Sequence, residues 1–67
     1  MQGPGSYENI LIKYGAVVGT QAIILPGKTI GAMSHVAAGA VVSKDVPEGV
    51  RVAGVPANII KNFKENI

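Results

Sequence analysis

The chain has no cysteine and no tryptophan, and it holds a single histidine, His35. Without thiols it can form neither a disulfide nor a thiolate metal site. One imidazole cannot hold a metal unless other chains supply the remaining ligands. Aromatic side chains are limited to Tyr7, Tyr14 and Phe63. The six basic residues (Lys13, Lys28, Lys44, Arg51, Lys61, Lys64) are scattered and give a formal charge of only +2. Nucleic-acid binding would want a basic stripe interleaved with stacking rings, and that pattern is missing. No apolar run approaches the roughly 20 residues a membrane span needs. No charged-then-apolar leader opens the sequence, so a cytoplasmic location is the expectation.

With 67 residues the chain makes one small domain at most. A domain of this size hides only about 60% of the surface its unfolded form exposes. Such domains need a disulfide, a metal or a partner subunit. The first two are excluded, so self-association is expected. Met1–Ser6, running through Gln2-Gly3-Pro4-Gly5-Ser6, reads as the scar of a cleaved expression tag and is set aside.

What the chain does have is a period of six. From Ile12 it divides into IKYGAV, VGTQAI, ILPGKT, IGAMSH, VAAGAV and VSKDVP. The first position is always branched aliphatic: Ile12, Val18, Ile24, Ile30, Val36 and Val42. The fifth is small in Ala16, Ala22, Ser34 and Ala40. Gly15, Gly27 and Gly39 hold the fourth position of alternate hexads, and Gly19 and Gly31 the second. A chain that bends every six residues needs sites tolerant of positive φ or of close backbone approach, and glycine supplies both.

A helix does not fit this pattern, because β-branched residues, glycines and Pro26 are all unfavourable inside one. A hairpin meander does not fit either, because the strands are too short and Asn-Gly-type turns are missing. Short parallel strands wound into a triangular prism fit. Each hexad makes one side, and three make a coil of 18 residues. The prediction is therefore an all-β chain, with about two coils over residues 7–47 (hexads 12–47) and a closing tail over 48–67. Stacking would place Ile12 under Ile30, Val18 under Val36 and Ile24 under Val42. Lys28 breaks the small-residue register, either as an ammonium leaving a loose corner or as a ligand-facing cation, and Val46 stretches it. In the tail, Val50-Arg51-Val52 reads as a strand. Residues 57–67 read as a capping helix with Ile59, Ile60, Phe63 and Ile67 on one face.

ILPGKTIG, followed by VAAGAVVSKDVPEGVRVAGVPANIIK, resembles the closing coils of the hexapeptide-repeat acyltransferases, of the sugar O- and N-acetyltransferase type. The resemblance covers about residues 12–61. It implies a left-handed coil, against the usual right-handed crossover. It also implies a homotrimer with acetyl-CoA lying between neighbouring prisms, and a small-molecule acceptor such as a sugar or nucleotide-sugar. Members move an acyl group from CoA to a hydroxyl or amine, with a histidine as general base and backbone N–H groups steadying the oxyanion. By alignment with the family motif, Thr20 and Ala38 match CoA-contacting positions. Ser43 and Lys44 match its Thr-Lys pair, and Lys61 a basic tail position that reaches the nucleotide phosphates. For each of these five, a solvated turn or surface side chain is the plainer alternative.

The family's catalytic histidine lies upstream of the matching stretch, and His35 does not align with it. His35 is expected as a surface corner residue, and no catalytic residue is assigned. The sequence then reads as a truncated gene product, a dissected fragment or a degenerate relative that keeps the CoA-binding coils. Two other functions compete. One is a purely structural trimerisation module. The other is a relative of the γ-class carbonic anhydrases, which would need three histidines around zinc on a threefold axis.

Overall fold

The computed structural model describes residues 9–63. Six two-residue strands follow one another every six residues: β1 (Leu11–Ile12), β2 (Val17–Val18), β3 (Ile23–Ile24), β4 (Thr29–Ile30), β5 (His35–Val36) and β6 (Val41–Val42). Two longer strands follow, β7 (Val50–Ala53) and β8 (Asn58–Asn62). β1 pairs in parallel with β4, β2 with β5 and β3 with β6. The register sets Ile12 against Ile30, Val18 against Val36 and Ile24 against Val42, the 18-residue stacking that the hexads predict.

The corners explain the period. The N–H of Ala16 donates to the carbonyl of Lys13, Ala22 to Gly19, Ser34 to Gly31 and Ala40 to Ala37. Each bond closes a four-residue turn whose third residue must take φ > 0, the type II arrangement. That residue is the fourth of its hexad. Gly15, Gln21, Gly27, Met33 and Gly39 have φ of 75°, 60°, 79°, 59° and 73°. The left-handed position thus occurs at each of the five corners between β1 and β6, including the two where the sequence has no glycine. At the second position the demand is different. A Cβ on Gly19 would lie 2.5 Å from the amide nitrogen of Ala38 in the coil above, and one on Gly31 2.5 Å from that of Glu48.

Beyond β6 the register slips. Val46 bridges to Ile30, a separation of 16 rather than 18. β7 then pairs in parallel with β5, Val36 opposite Val52, again 16 apart. The corner after β6 has lost two residues. In the shortened turn the Asp45 carboxylate accepts the Thr29 N–H at 2.8 Å, and Val46 N–H donates to the Thr29 carbonyl. Val46 therefore does not stretch the small-residue register. It enters the first-position column above Ile30, and Val50 and Val52 begin a third, partial coil.

The helix expected over 57–67 is not formed in its described part. Asn58–Asn62 is β8, antiparallel to β7 with a bulge beside Arg51 and Val52. Residues 64–67 of that expected helix, like Met1–Ser6, lie outside the described residues. Asn58, Ile59 and Ile60 are poor helix formers, and the open edge of β7 offers backbone bonds that a short isolated helix could not match. Ile59 pairs with Val52, while Ile60 is 60% exposed at the bulge.

The buried core consists of Ile30, Val36, Val42, Ala40, Val46, Val50 and Val52, with Ala16, Ala22, Ile24 and Ala57 packed against it. Ser34 is also fully buried, its hydroxyl donating to the Gly31 carbonyl at 2.6 Å. The core thus lies in the second and third coils. Ile12, in the first, is half exposed.

Truncating a sealed column residue should therefore cost more than truncating an open one. Ile30→Ala is expected to lose about 2–5 kcal/mol, and Ile12→Ala distinctly less, by urea denaturation. Gln21 carries a left-handed backbone that costs an L-residue about 1–2 kcal/mol, part of which glycine returns as chain entropy. Gln21→Gly should raise stability by up to about 1 kcal/mol, and Gly39→Ala should lower it; equal midpoints for all three proteins would contradict the corner geometry.

Candidate functional site

Three corners run along the prism, and they are not equivalent. The one joining β2 to β3, and β5 to β6 above it, is built from Gly19-Thr20-Gln21 and Ala37-Ala38-Gly39. Gly19 N–H donates to the Val36 carbonyl at 2.7 Å, and Gly39 N–H to the Thr20 carbonyl at 3.0 Å. Thr20 and Ala38 are both exposed, one directly above the other. In the third coil the equivalent place is Gly54, whose carbonyl accepts the Val41 N–H. The stacked positions Thr20, Ala38 and Gly54 carry small side chains or none, beside the longer Gln21, and Gly19 brings the two coils to close backbone approach.

The N–H of Thr20 and both the N–H and C=O of Ala38 have no partner among the described residues. Backbone groups left open at an exposed corner cost little, because water serves them. They are also ready to pair with an amide laid along the edge. The Thr20 hydroxyl adds a side-chain donor and acceptor.

Ser43 and Lys44 lie in the shortened corner at the far end of β6, half-buried and exposed respectively. Lys44 lines a cleft of about 360 Å³ with Asp45, Pro47, Ala57 and Asn58. Within one chain this pair is therefore not brought together with Thr20 and Ala38; β6 separates them. Lys61 stands in a third place, on β8, opposite Arg51 and with its Nζ 6.0 Å from the centre of the Phe63 ring.

His35 is not a corner residue. It occupies the outward position of β5, half-buried, with its ring edge-on to Phe63 at 5.5 Å and 77°. The last position of each hexad is the outward strand position, not the turn, which accounts for the difference. Sequence reasoning also left Arg51 and Phe63 out of the site residues. Their neighbours become visible only once the 16-residue register and β8 are known.

No family model matches the chain. Among curated proteins it is 50% identical over 62 residues to the 2,3,4,5-tetrahydropyridine-2,6-dicarboxylate N-acetyltransferase of Clostridium perfringens, covering 92% of this chain and 26% of that protein. Among solved structures, serine acetyltransferase of Brucella abortus in complex with coenzyme A superposes with a TM-score of 0.83 at 44% identity, covering 91% of this chain and 25% of that one. A hexapeptide-repeat acetyltransferase of Vibrio cholerae in complex with acetyl coenzyme A gives 0.82 at 41%, covering 84% and 31%. The chain spans about a quarter of the length of the curated relatives it matches. Over that span its prism is the left-handed parallel β-helix of the hexapeptide-repeat acetyltransferases.

The close approach at Gly19 is directly testable. Gly19→Ala pushes a methyl into the Ala37–Ala38 backbone, and such overpacking costs about 1–3 kcal/mol. The expected result is that loss in urea denaturation, with exchange protection of the Gly39 amide reduced; an unchanged Gly39 amide would mean that the corner tolerates the methyl.

Proposed function

We propose that this chain is the coenzyme-binding part of an acyl-CoA-dependent acyltransferase, of the kind that acetylates a hydroxyl or amine on a small acceptor such as a sugar or nucleotide-sugar. The observation that supports the reading is the Thr20–Ala38 edge. A pantetheine arm is a thin chain with two secondary amides. A column of small residues admits it without a clash, and the open N–H and C=O groups of Ala38 and the N–H of Thr20 match its carbonyls and amides. Relatives solved with coenzyme A or acetyl coenzyme A share this stretch at 41–44% identity.

Ser43 and Lys44 suit pantetheine or phosphate oxygens, and Lys61 suits the nucleotide phosphates. Because Ser43 and Lys44 lie at the next corner, beyond β6 from the Thr20 edge, they would serve a coenzyme bound in the groove against a neighbouring prism. A homotrimer supplies such a groove. When bound, the coenzyme supplies the activated acyl group. What these residues do is orient the thioester and hold its amides. The general base that takes the acceptor's proton is not among them, and the reading places it outside the matching stretch 12–61.

A second reading is a structural trimerisation module. Outward-facing Leu11, Val17 and Ile23, each more than half exposed, support it as surfaces for neighbouring chains. Calorimetry separates the two. The transferase reading expects CoA to bind the 67-residue chain, and a bulky Ala38→Phe variant to lose binding while keeping its fold. No heat at millimolar CoA would leave only the structural module.

A further inference from the structure

Between β1 and β4 the Leu11 N–H donates to the Lys28 carbonyl and the Lys13 N–H to the Ile30 carbonyl. One coil up, the Gly31 N–H on the Val46 carbonyl is the counterpart of the second of these bonds. Two residues back, the counterpart of the first would join the Thr29 N–H to the Lys44 carbonyl. The Thr29 N–H donates instead to the Asp45 carboxylate, at 2.8 Å. A side chain thus stands in the ladder where the backbone of Lys44 belongs. Aspartate is suited to this, because its short side chain competes for nearby backbone N–H groups.

The exchange frees the Lys44 carbonyl. Neither it nor the N–H groups of Ser43 and Lys44 nor the Ser43 carbonyl has a partner among the described residues. The corner is held all the same, since the Val46 N–H reaches the Thr29 carbonyl at 2.8 Å while Asp45 takes the Thr29 N–H. A cleft of about 360 Å³, lined in part by Lys44, Asp45, Pro47 and Asn58, opens beside it.

We infer that Asp45 is a positioning residue for the coenzyme. By standing in for the Lys44 carbonyl on Thr29, it keeps the backbone of Ser43 and Lys44 open to a ligand. The inference rests on the acyl-CoA reading and adds a backbone contact to it. An amide of the pantetheine arm has one donor and one acceptor, which is what an unpaired peptide can receive. The negative charge of Asp45 is unfavourable beside coenzyme phosphates. What the corner needs from this side chain is an oxygen at the right reach, and an amide oxygen serves as well as a carboxylate.

Calorimetry with CoA on the 67-residue chain tests this, together with hydrogen exchange of the Thr29 amide. Asp45→Asn should keep that amide protected and bind CoA at least as well as the wild type. Asp45→Ala should expose the amide and weaken CoA about tenfold, the worth of one well-placed hydrogen bond. Asp45→Glu keeps the charge but displaces the corner, so it should also weaken CoA; set against Asp45→Asn, it decides the matter if the alanine variant does not fold. Ile12→Ala, which weakens the fold in another coil, should leave CoA binding unchanged. Wild-type affinity in Asp45→Ala or Asp45→Glu, weakened binding in Asp45→Asn, or an equal loss in Ile12→Ala would overturn the inference. A wild-type chain that protects the Thr29 amide but binds no CoA would remove the acyl-CoA reading and this role with it, a failure distinct from the others.

Discussion

The regular coils of this chain depend on one backbone constraint, a residue held at positive φ in the corner that follows each of the strands β1–β5. A turn closed by a fifth-to-second N–H···O bond redirects the chain only if its fourth residue is left-handed. Five successive corners obey, from Gly15 to Gly39. Once the corner is fixed, six residues per side and three sides per coil follow, and with them the columns that bury Ile30, Val36 and Val42. The hydrophobic effect seals those columns, but it does not set their spacing. Each pairing contributes only two residues per strand, so packing alone could not hold the register if the corners varied.

The sequence carried this constraint unevenly. The aliphatic column from Ile12 to Val42 was legible because its period is strict and its residue class narrow. The stacking partners followed by arithmetic. Glycine pointed to the corners, though only at alternate ones. At Gln21 and Met33 a side chain takes the strained conformation, so the rule had to be read from geometry. Gly19 and Gly31 look alike in sequence to the fourth-position glycines, yet they answer a different need, the near contact of two coils.

What stayed hidden was set by contacts far apart in sequence. Residues 58–62 have an apolar spacing compatible with a helix, and the β-branched Ile59 and Ile60 lean only weakly toward a strand. The deciding factor is the free edge of β7, whose unpaired groups gain partners when β8 lies against it. The two-residue shortening after β6 is equally silent, since VSKDVP keeps an aliphatic first residue like every other hexad. Of the candidate site, Thr20 and Ala38 could be placed together from their shared hexad position. Ser43 with Lys44, and Lys61, could not be placed relative to them, because both depend on events after the register slips.

That slip is also what makes the upper face chemically distinct. A loss of one residue would have turned β7 inside out, burying Arg51 and exposing Val50 and Val52, because side chains alternate with a period of two. A loss of two preserves the alternation. Val50 and Val52 stay in the core at 3% and 4% exposure, and Arg51 stays outside, directly above His35. The antiparallel return of β8 then sets Lys61 against Arg51 and carries Phe63 to His35, where Phe63 N–H donates to the Gly49 carbonyl at 2.8 Å. The device that ends the regular array therefore also gathers its charged and aromatic side chains onto one face. The uninterrupted 18-residue repeat offers only Val17 and His35 there. The end of the regular array and the gathering of His35, Arg51, Lys61 and Phe63 on one face are here consequences of the same missing pair of residues.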